Sequence, residues 1–355
     1  MIKGMDVSML NELENLGAIY YDEGKEKDIF SIFLKYNINT IRLRVWDNPY
    51  DDNGSPYGAG TNDLRTLIKL SKRVKAHKFK FILDIHYSDF WTDPGKQIKP
   101  KAWQNKSGEE LEKEVYEYTA KIIYSLKEHN IEPEMIQIGN EVTNGLLWPD
   151  GKLPNYSGMF KLIKSGIKAV KELLPKTKII LHLDYGGDNN LYRNWFDQAE
   201  NHDVNFDIIG LSYYPFWHGT LDELENNLND ISTRYDKEVL ILETAYGFTL
   251  EEHDDLLPIF NSELAKKAGY PPTIEGQSEF LCDLMDRVSK VKNGKGLGVV
   301  YWEPEWIPVK GSTWATQAGQ DYINDYAEGG NSWGNQALFD YKGNTLATFN
   351  IFKQL

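Results

Sequence analysis

Two glutamates in this chain follow apolar stretches of strand length and could carry acid–base chemistry. Glu141 ends the segment MIQIGNE (135–141), directly after Asn140, and Glu243 ends a second apolar run. A carboxylate at the end of a buried strand is costly to desolvate, and burial raises its pKa toward the range that a general acid needs. The alternative for Glu141 is a strand-terminal side chain that points into water.

Two carboxylates that face each other across a cleft are the working groups of glycoside hydrolysis. A separation of about 5–5.5 Å lets one act as nucleophile, with retention of anomeric configuration, whereas about 6.5–9.5 Å leaves room for a water and gives inversion. Whether Glu141 and Glu243 can face each other depends on the elements that carry them.

Apolar runs of strand length alternate with longer stretches of helical period along the whole chain, which is typical of a parallel sheet with crossover helices. The predicted strands are 2–7, 38–45, 79–85, 135–139, 178–183, 207–212, 238–243 and 297–302. The predicted helices are 25–36, 62–76, 109–129, 158–174, 190–200, 221–234, 277–292 and 345–354.

Eight such units favour a single (β/α)8 TIM barrel of the α/β class, with elongated βα loops, over an open doubly wound sheet. No Gly-x-Gly-x-x-Gly follows an early strand, and no composition shift marks a domain boundary, so residues 1–355 are expected to form one catalytic domain. Active sites of such barrels lie at the carboxyl ends of the strands. Every predicted strand ends in polar or aromatic side chains. Glu141 and Glu243 end the fourth and seventh strands, so they are expected to face each other across the mouth of the barrel.

The composition limits the classes of binding partner and of cellular environment that fit this chain. A formal net charge of −14 argues against nucleic acid, which is bound through clusters of Lys and Arg. No apolar run reaches the length of a membrane span, and the single Cys282 excludes an intramolecular disulfide and is expected to be a small core residue. The amino terminus lacks the pattern of a signal peptide, so either the protein stays in the cell or a leader has been removed.

The sequence closely resembles glycoside hydrolase family 53, the endo-β-1,4-galactanases, over essentially its whole length. The motifs that carry the resemblance are GMDVS (4–8), IRLRVW (41–46), HYSDFWTDP (86–94), GNE (139–141), GLLWP (145–149), HLD (182–184), SYYPF (212–216), ET (243–244) and YWEP (301–304). The Asn-Glu pair is shared by a large clan of barrel hydrolases, whereas the set as a whole is specific.

The resemblance implies that Glu141 is the acid/base and Glu243 the nucleophile of a retaining double displacement on β-1,4-galactan. Asn140 would bind the sugar 2-hydroxyl, and Arg42 and Tyr213 would donate to Glu243 and lower its pKa. The remaining substrate-binding residues that it implies are His86, Trp91, Asp184 and Trp302.

Structural alternatives remain for several of these residues. Arg42 could pair with Asp6 or Asp84 in the barrel core, and His86 and His182 could be hydrogen-bonded structural histidines. Five tryptophans are candidate sugar platforms or loop packing anchors: Trp91, Trp103, Trp148, Trp306 and Trp333.

The segment 244–276 is long for a βα loop, and the family resemblance raises the question of a Ca²⁺ site there. His253, Asp254 and Asp255 are the candidate ligands, but an acidic surface turn explains them better, so no metal or other cofactor is expected to be required. Glu305 stands where the resemblance leads us to expect a small residue, and it could change a subsite contact.

The expected function is endo-hydrolysis of β-1,4-galactosidic bonds in galactan and in the type I arabinogalactan side chains of pectin, releasing galacto-oligosaccharides. A monomer is expected, with a polysaccharide as its partner. The alternatives are a retaining β-glycanase of the same clan that acts on glucan, mannan or xylan, and an inactive carbohydrate-binding barrel.

Overall fold

The computed structural model describes residues 1–253 and 256–354, and its centre is a closed barrel of eight parallel strands. In chain order β1–β8 are Ile2–Asp6, Thr40–Val45, Lys80–Ile85, Met135–Ile138, Lys178–Leu183, Ile208–Ser212, Glu238–Glu243 and Gly296–Trp302. Each strand pairs with its neighbour in sequence, and β8 closes the ring on β1. The predicted fold class and all eight predicted strands are confirmed.

Helices cover the outside of the barrel. In chain order α1–α11 are Leu10–Asn15, Ile29–Lys35, Leu64–Ala76, Gly108–Lys127, Tyr156–Leu173, Asn189–Asn201, Leu221–Arg234, Ser262–Ala268, Ile274–Ser289, Gln317–Ile323 and Ile351–Gln354. Capping side chains fix several starts: Asp63 accepts from the Thr66 amide before α3, and Thr220 and Glu223 form a capping box before α7. Three short helices, α1, α8 and α10, lie in connections that the sequence did not predict as helical.

The barrel interior changes character from one end to the other. A buried apolar cluster fills part of the interior, and most of its residues lie in the first halves of their strands: Ile2, Ile82, Met135, Ile180, Ile208, Leu240, Leu242 and Val300. Toward the carboxyl ends the buried side chains are charged or polar, beginning with Arg42, Asp84, Gln137 and His182. The apolar cluster closes one end of the barrel, so a ligand can approach the charged layer only from the other end.

The outer helices approach the barrel closely where small residues allow it. A side-chain carbon at Gly166 of α5 would lie 2.6 Å from the Tyr87 hydroxyl and 3.1 Å from Ile138 of β4. The glycine therefore sets how closely α5 packs against the strand that leads to Glu141. Cys282 on α9 is half-buried rather than a full core residue. No helix within residues 1–253 and 256–354 is long and apolar enough to cross a membrane.

Candidate active site

A cavity of about 640 Å³ opens at the carboxyl ends of the strands. Both Glu141 and Glu243 line it, as do Arg42, His86 and Asn140. The structure therefore brings together the residues that the sequence predicted from four different strand ends.

Glu141 follows β4 in a left-handed backbone conformation, with φ 46°. Non-glycine residues seldom adopt this conformation, and where they do it is often at a functional site. Its Oε1 accepts a 2.6 Å hydrogen bond from the Ser212 hydroxyl at the end of β6. Glu141 is half-buried at the cavity wall, and the loss of solvent there, reinforced by the charges of Glu243 and Asp184, raises the pKa of Glu141 well above its ordinary value. Glu141 is thus suited to hold a proton.

Glu243, unlike Glu141, is in contact with a cation. Arg42 Nη1 lies 3.0 Å from its Oε1, and the Tyr214 hydroxyl donates to Oε2 at 3.3 Å. Burial raises the pKa of Glu243 to about 7, and Arg42 opposes that shift. The prediction of a lowered pKa for Glu243 is therefore wrong, because desolvation outweighs the guanidinium. Among the described residues no cation forms an ion pair with Glu141, so Glu141 keeps its proton more readily.

The tyrosine predicted to donate to Glu243 was assigned one residue too early. Tyr213 directs its hydroxyl to the Gly219 carbonyl, 2.9 Å away, and is not among the residues that line the cavity. Successive side chains of a strand point to opposite sides, and the Ser212 hydroxyl faces Glu141, so the next side chain on the cavity side is two residues later, at Tyr214. Tyr214 takes the place that the sequence assigned to Tyr213.

Arg42 holds a buried charge network together. It lies 2.7 Å from Asp6 Oδ2 and 2.9 Å from Asp84 Oδ2, in addition to its contact with Glu243. Its Nη2 also donates to Asn140 Oδ1 at 3.1 Å. The core ion pairs and the contact with Glu243, considered as alternatives from sequence, are both present. An arginine so fully occupied has little freedom to move, which fixes the Glu243 carboxylate.

The histidines are hydrogen-bonded, and only one of the two predicted lines the cavity. His86 Nε2 is 3.0 Å from Asp84 Oδ2, and its Nδ1 is 2.9 Å from the Thr92 hydroxyl. His182 is completely buried beneath the cavity. Asn140 Nδ2 donates to the Thr92 carbonyl at 2.9 Å, which fixes the orientation of the Asn140 amide at the cavity wall.

Asp184, predicted to bind substrate, lines the cavity, and its charge acts on Glu141. Thr143 donates to its Oδ1 at 2.5 Å, and burial raises the pKa of Asp184 to about 7. A carboxyl group near its pKa at neutral pH can either donate to or accept from a sugar hydroxyl.

Indole rings form much of the cavity wall. Of the predicted tryptophans, Trp91, Trp302, Trp306 and Trp333 line it. Trp103 and Trp148 are not among the lining residues; Trp103 is a buried packing residue, and Trp148 packs under the Lys152 ammonium. Arg44 lies over the Trp91 ring at 4.4 Å, which holds that indole in place. The wall offers flat apolar faces above the two carboxylates.

Four functional candidates were missed from sequence: Ser212, Tyr214, Trp217 and Trp314. Ser212 and Tyr214 lie in the SYYPF motif, so the position of Ser212 at the strand end was an available signal. Trp217 and Trp314 lie in loops whose path no local pattern reveals. Glu305, predicted to affect a subsite, is fully buried and is not among the lining residues.

The predicted metal ligands do not form a described cluster. Within residues 1–253 and 256–354 no group of three His, Cys, Asp or Glu side chains could hold a metal ion. His253 packs against the Tyr341 ring at 4.8 Å. Asp254 and Asp255 lie outside the described residues.

Nearly the whole chain matches a known protein family. The model of the family described as glycosyl hydrolase family 53 matches residues 2–352. The chain belongs to glycosyl hydrolase family 53. As a member of this family it is a glycosidase.

Relatives in family 53 cover nearly the whole chain. An endo-β-1,4-galactanase of Bacillus subtilis is 36% identical over 99% of this chain and 85% of its own length. An arabinogalactan endo-β-1,4-galactanase of Cellvibrio japonicus is 35% identical over 99% of this chain and 90% of its own. The solved structure of the Ignisphaera aggregans GH53 catalytic domain has a TM-score of 0.94 at 43% identity, covering 99% of this chain and 95% of that one.

Proposed function

We propose that this family 53 enzyme is a retaining endo-β-1,4-galactanase that cleaves galactan and the type I arabinogalactan side chains of pectin. The single observation that carries the proposal is the pair Glu141 and Glu243, placed in one tryptophan-walled cavity with opposite surroundings. The names of the relatives in Bacillus subtilis and Cellvibrio japonicus support the choice of galactan over other polysaccharides.

The surroundings of the two carboxyls divide the roles. Arg42 and Tyr214 favour an ionised Glu243, whereas the described neighbours of Glu141 are Ser212 and acidic side chains, with no cation in contact. Because the two carboxyls interact, they titrate as a pair that keeps one proton near neutral pH, and that proton resides on Glu141. Glu141 is then the acid and Glu243 the nucleophile, a division typical of retaining glycosidases.

The reaction proceeds in two displacements. Glu243 attacks the anomeric carbon while Glu141 protonates the departing glycosidic oxygen, which leaves a glycosyl ester on Glu243. Glu141, now ionised, removes a proton from water as that water attacks the anomeric carbon on the face away from Glu243. The bond between the sugar and Glu243 breaks, which restores the Glu243 carboxylate. Asn140 at the cavity wall would bind the 2-hydroxyl, an interaction that strengthens as oxocarbenium character develops.

The same proposal extends to partners. Hydrolysis by two carboxyls needs no redox group or metal, so we propose that no cofactor is required. The net charge of −14 suits a neutral polysaccharide and disfavours nucleic acid. We propose that the protein works as a monomer, because its two carboxyls and their supporting residues all come from one chain.

The test compares Glu141→Gln and Glu243→Gln with Glu109→Gln, an exposed glutamate at the start of α4. Each active-site variant should lose at least about a thousandfold in galactan hydrolysis while folding normally, and Glu109→Gln should match the wild type. Near wild-type hydrolysis by either folded active-site variant would overturn the assignment.

Substrate and stereochemistry need separate measurements. The wild type should release a range of oligosaccharides early from linear galactan and little from glucan, mannan or xylan. NMR of the first products should show the β-anomer. Preference for another glycan would favour the alternative β-glycanase, and absence of any product would favour the inactive carbohydrate-binding barrel.

A further inference from the structure

A buried glutamine holds the backbone of Glu141 from behind the cavity wall. Gln97 lies in the connection after β3, is almost completely buried, and is not among the residues that line the cavity. Its Nε2 donates to the Asn140 carbonyl at 2.8 Å and lies 3.3 Å from the Glu141 carbonyl. The side chain thus reaches the proposed acid through its backbone.

The direction of the Gln97 amide is determined by its surroundings. Besides the Asn140 and Glu141 carbonyls, the Asp93 carbonyl lies 3.3 Å from the same Nε2. Three carbonyl oxygens around one atom require a donor there, because an amide oxygen would repel all three. The nitrogen has two hydrogens, one for the short bond and one shared between the two longer contacts. The main chain of Gln97 is held as well, since its carbonyl accepts from the Trp148 amide at 2.7 Å.

The two carbonyls of Asn140 and Glu141 belong to the peptide groups on either side of the Glu141 α-carbon. Glu141 has φ 46° and ψ 54°, the left-handed helical conformation. In a helical conformation successive carbonyls point to the same side, whereas in an extended strand they point to opposite sides. One amide nitrogen can therefore bind both carbonyls only while Glu141 keeps its left-handed conformation. The bonds to Gln97 offset the strain that a non-glycine residue has in this conformation.

The connection after β3 also holds the segment after β4 at two neighbouring points. Asn140 Nδ2 donates to the Thr92 carbonyl, and Asn144 Nδ2 donates to the Pro94 carbonyl, both at 2.9 Å. These bonds fix the side chains of Asn140 and Asn144. Gln97, in contrast, binds the two peptide groups whose relative rotation defines the backbone conformation of the residue between them.

A neutral donor suits the position of Gln97. An ammonium group can also bind carbonyls, as Lys99 does with those of Gln104 and Lys106. A positive charge next to Glu141 would, however, favour the ionised form of its carboxyl group and lower its pKa. The amide supplies two hydrogens without a charge, so it can fix the backbone of an acid and leave the proton on its carboxyl group.

We propose that Gln97 is a positioning residue that holds Glu141 in its left-handed conformation, with the carboxyl group directed into the cavity. A change of Glu141 to an extended conformation would turn its side chain in another direction and break the 2.6 Å bond to the Ser212 hydroxyl. The inference rests on the proposed role of Glu141 as the acid. Loss of the Gln97 amide should slow proton transfer to the leaving group and leave substrate binding by the tryptophan wall nearly unchanged.

The first test compares Gln97→Met with Gln277→Met. Gln277 on α9 is also buried, is not among the lining residues, and donates from Nε2 to two backbone carbonyls, those of Tyr246 at 2.8 Å and Ala337 at 3.1 Å. On galactan, Gln97→Met should lower kcat about tenfold and leave KM within about twofold of the wild type. Gln277→Met should lower the midpoint of urea unfolding and leave kcat unchanged. An unchanged kcat in Gln97→Met, or an equal loss of kcat in both variants, would overturn the proposal.

The dependence of the rate on the leaving group separates loss of the acid from general damage. The substrates are aryl β-1,4-galactotriosides, and kcat/KM reports the steps up to the departure of the phenol. A 2,4-dinitrophenolate departs with little protonation, so Gln97→Met should stay within about twofold of the wild type on that substrate. The loss should grow to about tenfold as the pKa of the leaving phenol rises. An equal loss with every phenol would overturn the proposal.

Gln97→Glu decides the question if Gln97→Met does not fold. Burial among carbonyl oxygens keeps the new carboxyl group protonated, so it has one hydrogen for the bond to Asn140 and none for the longer contacts. The same dependence on the leaving group is expected, with a maximal loss of about threefold. A wild-type dependence would overturn the proposal. Near wild-type galactan hydrolysis by Glu141→Gln would instead overturn the function on which it rests.

Discussion

The contact between Tyr214 and Glu243 leads to a prediction that distinguishes two neighbouring tyrosines. Tyr214→Phe removes the hydroxyl that donates to Glu243 Oε2. A hydrogen bond to a charged group contributes about 1.5–3 kcal/mol, and the length of 3.3 Å places this one at the weak end, about 1.5 kcal/mol. Since the bond stabilises the ionised nucleophile, its loss should raise the pKa of Glu243 by about one unit.

The expected result is a move of the acidic limb of the kcat/KM profile by about one unit to higher pH. Because the pKa of Glu243 starts at about 7, kcat/KM at pH 7 should fall about fivefold. The direction follows because Glu243 must be ionised to attack, and it now becomes ionised only at higher pH. The assay is initial-rate hydrolysis of galactan from pH 4 to 9.

Tyr213→Phe is the matched control, because the Tyr213 hydroxyl donates to the Gly219 carbonyl. The contact of Tyr213 with Glu243 joins their backbones, amide to carbonyl at 2.8 Å, and the substitution keeps it. Its profile should overlay that of the wild type, with a free energy of unfolding lower by about 1 kcal/mol. Equal acidic limbs in the two variants, or a larger shift in Tyr213→Phe, would refute the reasoning.

Three further predictions follow. Glu305 is buried beside Glu303, which raises its pKa well above the ordinary 4.5, so the folded state keeps a proton that the unfolded chain has released and stability falls as pH rises through that interval. In urea unfolding, the free energy of unfolding of Glu305→Gln relative to the wild type should increase between pH 5 and pH 8, by up to about 1.4 kcal/mol per pH unit. If the difference in free energy between the two proteins does not change with pH, this explanation is wrong. Gly166→Ala should lower the free energy of unfolding by about 1–3 kcal/mol through overlap with Tyr87, whereas Lys161→Ala on the exposed face of α5 should not. Treatment with EDTA should leave galactan hydrolysis unchanged, and activity restored by added Ca²⁺ would contradict the proposal that no metal is required.

The barrel could be predicted from sequence because the strands are short, mainly apolar runs that both the helices and the barrel core bury, separated by longer stretches of helical period. Short helices such as Ser262–Ala268 could not, since seven residues in a long connection contain too few turns for a helical period to appear. Glu141 and Glu243 were predictable because a carboxyl at a strand end must face the mouth of a closed barrel.

Details of the site beyond the strand ends were harder to predict from the sequence. Choosing between Tyr213 and Tyr214 required knowing which side chains of β6 face the barrel interior, and its sequence IIGLS has no polar–apolar alternation that would show this. The raised pKa of Glu243 depends on how much protein surrounds it, and the sequence shows its cation but not its burial. Trp103 and Trp91 differ only in their position relative to the cavity, because an indole suits both packing and sugar stacking.

The charge network has a consequence for how such an enzyme can diverge. Asp6, Arg42, Asp84 and Glu243 all lie within barrel strands, whereas Trp314 and Trp333 lie in the connection after β8. Under the proposed function, insertions or replacements in that connection would lengthen or shorten the surface along which a polysaccharide lies, while the paired glutamates keep their positions. Evolution can therefore retune product size in this scaffold by exchanging surface segments alone, without rebuilding the chemistry beneath them.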